Sequence, residues 1–186
     1  MQKLRYALVG YVKGATGEFV ESLRRELHPD LPHLAAHLTI LPPRPLSGTE
    51  SSALQVLERI CGAEEPFEVT LGSVETFVPV TPTVYIRVDG AASSMCALHS
   101  KLNTEALAFK EEWPYIPHLT IAKLGSQAMA QAAFETARAR WNEYSCSRRI
   151  LLEKLSFVRE DPREGGLPSC WIDLAPVQLG RTLVSK

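Results

Sequence analysis

The tetrapeptide His-Leu-Thr-Ile occurs twice, at residues 37–40 and 118–121, and each copy sits in a run that alternates apolar and polar residues. In a strand, successive side chains point to opposite faces. His37 and Thr39 therefore share one face while Leu38 and Ile40 take the other. His118 and Thr120 are set against Leu119 and Ile121 in the same way. Such a chain must supply two strands that each bury one apolar face and present a histidine and a threonine on the other. An identical motif twice in one chain suggests a two-fold pseudo-repeat. The rest of the two halves is not visibly similar, so the echo is local.

The surrounding pattern is mixed. Segment 5–11 (RYALVGY) reads as a strand, and Phe19, Val20, Leu23 and Leu27 mark a helix over 17–27, closed by Pro29 and Pro32. Strand 35–41 (AAHLTIL) ends at Pro42, Pro43 and Pro45. A helix over 49–61 takes Thr49 or Ser51 as its N-cap. Strands follow at 67–77 and 82–90, then a helix over 92–108 opened by Ser93 or Ser94. A turn at Trp113-Pro114-Tyr115 leads into strand 116–122 (IPHLTIA). Ser126 caps a helix to about residue 143, and strands 149–158 and 169–176 are joined by a loop turning at Gly165-Gly166. Seven strands and four helices, alternating early and ending in strands, predict an α+β fold.

The motif dictates its chemistry. Two such strands side by side gather two imidazoles and two hydroxyls on one face. An ordinary imidazole pKa of about 6.5 lets one ring be neutral while the other is protonated near neutral pH. That pairing suits a general base and a general acid in one reaction. The threonine hydroxyls can donate to non-bridging phosphate oxygens as charge builds there. His37 and His118 are thus the candidate acid–base pair and Thr39 and Thr120 the candidate phosphate ligands. A lone strand histidine is usually an ordinary packed residue; two identical copies in matching context are not easily accidental.

Bulk properties narrow the partners. With 186 residues, 45% hydrophobic, 22% charged and net charge −1, the chain reads as one globular domain over 1–186 without a global basic field. Tight duplex binding is disfavoured, while a local phosphate grip stays open. Cys61, Cys96, Cys146 and Cys170 form no CxxC pair, and no four ligands fall at zinc spacing. No apolar run reaches membrane-spanning length and the start lacks a cleavable signal. These features lead us to expect a cytoplasmic monomer with reduced thiols, no cofactor, no metal and no membrane contact. His33 and His37 are four apart, but Pro32 and the strand alternation argue against a metal-binding helix there.

Several residues flank the motifs. Tyr85 and Arg87 should share the polar face of strand 82–90, with Tyr85 a candidate to stack a base or an ordinary sheet tyrosine. Phe77, Trp113 and Tyr115 sit near turns and are similar candidates, more often core edges than base platforms. Arg44 follows the first motif and is either within reach of a phosphate or, as the preferred reading, a solvated loop arginine; His28 reads as a favourable charge at a helix end, and His99 as a surface or packing residue.

HLTILPP at 37–43 and PHLTIAKLG at 117–125 resemble the paired HxTx motifs of the two-histidine phosphoesterase superfamily, which includes 2′–5′ RNA ligases and cyclic nucleotide phosphodiesterases. FEVTLGSVETF, PTVYIRV and WIDLAPVQLG resemble its flanking strands. The resemblance covers most of the chain. It implies two pseudo-symmetric lobes of small antiparallel sheets backed by helices, with an active groove between them. It also implies His37 and His118 as acid and base, Thr39 and Thr120 on phosphate, and RNA ends or cyclic nucleotides as substrate. Many members carry arginine in the pattern HxTxAR, where this sequence has Lys123; lysine keeps the charge but loses the bidentate fork. The rival expectation is a non-catalytic nucleotide- or RNA-binding module on the same scaffold.

Overall fold

The computed structural model describes residues 4–28, 34–161 and 170–180. Among these residues, eight strands form one fully antiparallel sheet: β1 (Arg5–Tyr11), β2 (His37–Arg44), β3 (Phe67–Thr76), β4 (Thr83–Gly90), β5 (His118–Lys123), β6 (Arg149–Leu152), β7 (Lys154–Asp161) and β8 (Cys170–Gln178). Their order is β6-β3-β4-β5-β2-β1-β7-β8. Four helices accompany them: α1 (Gly14–Leu27), α2 (Glu50–Cys61), α3 (Ala92–Leu102) and α4 (Gln127–Glu143). The fold is α+β. The two small sheets expected from the resemblance are the halves of this one sheet, joined where β2 pairs with β5 through Leu38 and Leu119.

The halves repeat a β-α-β-α unit, β1-α1-β2-α2 and then β4-α3-β5-α4. Each unit's central helix packs on the other's histidine strand, α1 on β5 and α3 on β2. Two hydrogen-bonded caps match the sequence expectation. Thr49 opens α2, its hydroxyl accepting from Ser52 N–H at 3.1 Å while Ser52 Oγ accepts from Thr49 N–H at 3.0 Å. Ser126 opens α4 by accepting from Met129 N–H at 3.2 Å.

Several boundaries differ from the periodicity, among them the start of α1, which is Gly14 rather than Gly17. The helix expected over 92–108 stops at Leu102, because Asn103 leaves helical geometry; a single 3₁₀ turn (Glu105–Leu107) then buries Leu107. It opens at Ala91 in left-handed backbone (φ 60°) rather than on a serine cap. Strand β2 runs through Pro42 and Pro43 to Arg44, past the expected stop; its ladder to β1 shifts register here, where missing N–H groups are tolerated. The strand expected over 149–158 is two strands, with β6 pairing β3 and β7 pairing β1. Glu153 alone links β6, at one edge, to β7, seventh in the order. One residue spans about 7 Å between its neighbours' Cα atoms, so the sheet curls until these strands meet. Gly10 accommodates the closure: a Cβ there would lie 2.6 Å from Leu152 and 3.3 Å from Leu155. The expected turn at Gly165-Gly166 lies outside the described residues.

The core lies on the face carrying Leu38, Ile40, Leu119 and Ile121, all fully buried, and it draws on both halves and all four helices. A smaller apolar cluster of Ala7, Val9 and Val158, with Tyr11, Leu34 and Trp171 packed on it, is separate from this core. Among the described residues, no helix is long and apolar enough to cross a membrane.

Candidate active site

At the seam between the halves, His37, Thr39, His118 and Thr120 are half-buried while the residues between them are buried. The Leu38–Leu119 pairing places His37 opposite Thr120 and Thr39 opposite His118. Each histidine is thus flanked by the other strand's threonine. The two histidines stand on a diagonal, and diagonal neighbours in an antiparallel ladder are about 7–8 Å apart. The structure brings all four predicted residues together on one face.

Backbone carbonyls orient both rings identically. His37 Nδ1 lies 2.7 Å from Ala35 O, and His118 Nδ1 lies 2.6 Å from Ile116 O. A carbonyl can only accept, so each Nδ1 carries the proton and, in the neutral ring, each Nε2 keeps its lone pair. The His37 pKa is lowered to about 4, chiefly by desolvation, with the charges of Arg24, Lys123 and His118 contributing and the Ala35 hydrogen bond opposing them. His118 is lowered as well, chiefly by desolvation, with Lys123 contributing and the Ile116 bond opposing.

Simple alternation does not account for Lys123. Counting by twos from His118 leads to Ala122, which is buried. A bulge intervenes, because Tyr85 pairs Thr120 but Val84 pairs Ala122. The extra residue reverses the parity and turns Lys123 out after Thr120. Strand β2 carries the matching irregularity, Val9 pairing Thr39 and Leu8 pairing Leu41. Pro42 therefore occupies the position equivalent to Lys123, so the pseudo-symmetric site has its lysine on one side. Desolvation lowers the Lys123 pKa, with Arg5 and Arg24 repelling it and Glu160 opposing them. Its backbone N–H donates to His28 Nδ1 at 3.3 Å. His28 thus ties the end of α1 to β5.

Tyr85 and Arg87 lie on the histidine face as expected, opposite Thr120 and His118. Tyr85, however, is 5% exposed, with Phe77 stacked on it at 4.1 Å between centroids and its hydroxyl 3.2 Å from Glu75. Of the two readings of Tyr85, this burial favours the ordinary sheet tyrosine over the base platform: its ring backs His118, which meets Tyr85 and Phe77 edge-on at 5.2 and 5.1 Å. Arg87 is held by Glu75 and Asp89. Arg44, expected in solvent, is 1% exposed and paired with Glu111. His99 is buried, its Nδ1 2.9 Å from Ile40 O.

Arg24 escaped the sequence reading. It is 6% exposed, bonds Glu21 at 2.7 Å through Nη1, and has a buried Nε without a partner. Glu21 in turn accepts from Ala36 N–H, next to His37. The signal was present: Val20, Leu23, Arg24 and Leu27 follow an i, i+3, i+4, i+7 stripe, so a cation falls on the buried face. Among the described residues no cluster of three or more His, Cys, Asp or Glu could hold a metal, and His33 lies outside them.

A family model described as the 2′–5′ RNA ligase superfamily matches residues 12–163, well over half the chain and both motifs. The chain belongs to that superfamily. Its relatives include a protein of Oceanobacillus iheyensis named “Putative phosphoesterase”, 27% identical over 121 residues, 64% of this chain and 71% of that one. Another of the same name, from Staphylococcus epidermidis, is 24% identical over 147 residues, covering 78% and 83%. Among solved structures, E. coli LigT in apo form matches with TM-score 0.63 at 14% identity, over 97% of this chain and 100% of LigT. A protein of Thermus thermophilus matches with TM-score 0.63 at 15% identity, over 94% and 97%. These likenesses establish a shared fold. LigT has also been crystallised with 3′-AMP and with phosphate.

Proposed function

We propose that this superfamily member is a metal-independent phosphodiesterase acting on 2′,3′-cyclic phosphates or 2′–5′ linkages of RNA ends or nucleotides. The observation that carries this reading is the paired histidine geometry: each Nδ1 is engaged by a carbonyl, which leaves each Nε2 available for proton transfer on a face shared with two threonine hydroxyls. In hydrolysis of a cyclic phosphate, a neutral Nε2 takes a proton from water as the water oxygen bonds phosphorus. The bond to one ribose oxygen breaks, and that oxygen takes a proton from the other imidazole. Thr39, Thr120 and Lys123 stabilise the charge on the non-bridging oxygens. Read in reverse, the same proton transfers join ends. Arg24 and Lys123 both bear on His37, whereas of these two cations Lys123 alone bears on His118. His37 is therefore the more firmly neutral ring and suits the base in hydrolysis, with His118 the acid. That LigT, sharing the fold, holds 3′-AMP and phosphate supports a nucleotide phosphate as ligand.

The test is hydrolysis of 2′,3′-cyclic nucleotides in EDTA by the wild type and by His37→Ala and His118→Ala. We expect turnover in EDTA with a bell-shaped pH profile, and losses of about 10²–10⁴-fold in each variant with unchanged melting. Binding without turnover in the wild type favours the non-catalytic module instead. Full activity in either alanine variant rules out the paired mechanism.

A further inference from the structure

The carbonyls of Thr39 and Ile40 lie where β2 loses its regular ladder. Register to β1 shifts between Thr39 and Leu41, and Pro42 and Pro43 supply no N–H beyond. Buried backbone acceptors at such a bulge need other partners. Two side chains provide them. Tyr115 Oη donates to Thr39 O at 2.7 Å, and His99 Nδ1–H donates to Ile40 O at 2.9 Å. The two rings stack, 4.1 Å between centroids and 5° from parallel, so neither donor can turn without displacing the other.

This pair is anchored from behind. His99 Nε2 stands 3.4 Å from Glu111 Oε1, and Glu111 is also the partner of buried Arg44. The Arg44 guanidinium further donates to Pro42 O at 3.0 Å, Asn103 Oδ1 at 2.9 Å and Leu107 O at 3.2 Å. One chain of contacts thus fixes three carbonyls of β2, at residues 39, 40 and 42, beside the first motif. The second motif is tied in another way, by Lys123 N–H on His28.

We propose that Tyr115, backed by His99, Glu111 and Arg44, is a positioning residue that aims the Thr39 hydroxyl at the phosphate by holding the Thr39 carbonyl. This rests on the phosphodiesterase reading above. Tyr115 does not touch the reacting atoms; it acts through Thr39. A misplacement of about 1 Å can cost 10²-fold in rate, so losing this one hydrogen bond should be visible in catalysis before it is visible in folding.

The decisive experiment is a pair of double-mutant cycles on kcat/KM for a 2′,3′-cyclic nucleotide, with melting measured for every variant. Tyr115→Phe should lower kcat/KM about ten-fold with little change in melting. In a Thr39→Ala background the same substitution should cost less than two-fold, because its target is gone. In a Thr120→Ala background the ten-fold loss should persist. Equal losses in both backgrounds, or wild-type activity in Tyr115→Phe, would overturn the assignment. Absence of turnover in the wild type would instead defeat the phosphodiesterase reading. The same cycles read as Kd for adenosine 2′-monophosphate then test the positioning role on binding alone.

Discussion

At the scale of single residues, burial lowers the pKa of both histidines, and His37 carries the largest stated shift. Burial and the nearby Arg24 and Lys123 cations oppose its protonation, taking its pKa to about 4 from an ordinary 6.5. This has a signed consequence for stability. Between pH 6.5 and 4 the unfolded chain binds a proton at His37 that the folded chain resists, so stability falls as pH falls through that window. Above pH 6.5 the residue contributes no pH dependence. Linkage puts the loss between pH 7 and pH 4.5 at about 2–3 kcal/mol. His37→Gln, which cannot titrate, should therefore gain about that much relative to wild type over this interval in urea titrations at the two pH values. Equal pH dependence in the two proteins would mean that His37 protonates freely in the folded state.

At the scale of elements, the residues that aim the site are held by the joints between strands and helices. Val12 follows β1, donates its N–H to Ala36 O at 2.8 Å, and so fixes the chain just before His37. Helix α1 crosses this joint at Gly17, where a Cβ would lie 2.2 Å from the Val12 carbonyl oxygen. Helix propensity alone favours alanine by about 1 kcal/mol. The clash is with backbone, which cannot swing aside like a side-chain end, so Gly17→Ala should destabilise by about 1–3 kcal/mol and lower Tm by several degrees. A raised Tm would show that the Val12 carbonyl yields. Such joints explain what the sequence made legible. Alternation identified β2 and β5 and the shared face of His37 with Thr39, since a two-residue period is written directly in residue types. The bulges after Thr39 and Thr120 are not, because a register shift depends on the partner strand. The parity that turns out Lys123 was hidden for that reason. So were the burial of Arg44 and the split at Glu153, both set by neighbours distant in sequence. Arg24 was legible in principle, as a cation in an apolar stripe.

At the scale of the whole molecule, the two halves are pseudo-symmetric but not separable. One half is contiguous, β3 to β6; the other is assembled from β1 and β2 together with β7 and β8, which follow it in the chain. The exchange of α1 onto β5 and α3 onto β2 makes each histidine strand depend on a helix of the other unit. The main core contains buried residues from both halves, among them Leu8, Leu38 and Phe157 from one and Ile86, Leu119 and Trp141 from the other. Unfolding either half alone would expose the core face of its partner, so the free energy gained by loosening one side is offset by apolar surface uncovered on the other. The molecule should therefore unfold in one cooperative step. Two tryptophans report on the halves separately: buried Trp141 on α4, donating to Gly72 O at 2.7 Å, and half-buried Trp171 on β8. With Trp113 replaced by Phe, the variants Trp141→Phe and Trp171→Phe each keep one of these reporters. Their urea transitions, each compared with far-ultraviolet circular dichroism of the same variant, should coincide in midpoint and slope. Separated transitions, with one tryptophan reporting before the helices melt, would mean that the seam at Leu38 and Leu119 joins two independently stable units, and that the histidines are brought together by docking rather than by a single fold.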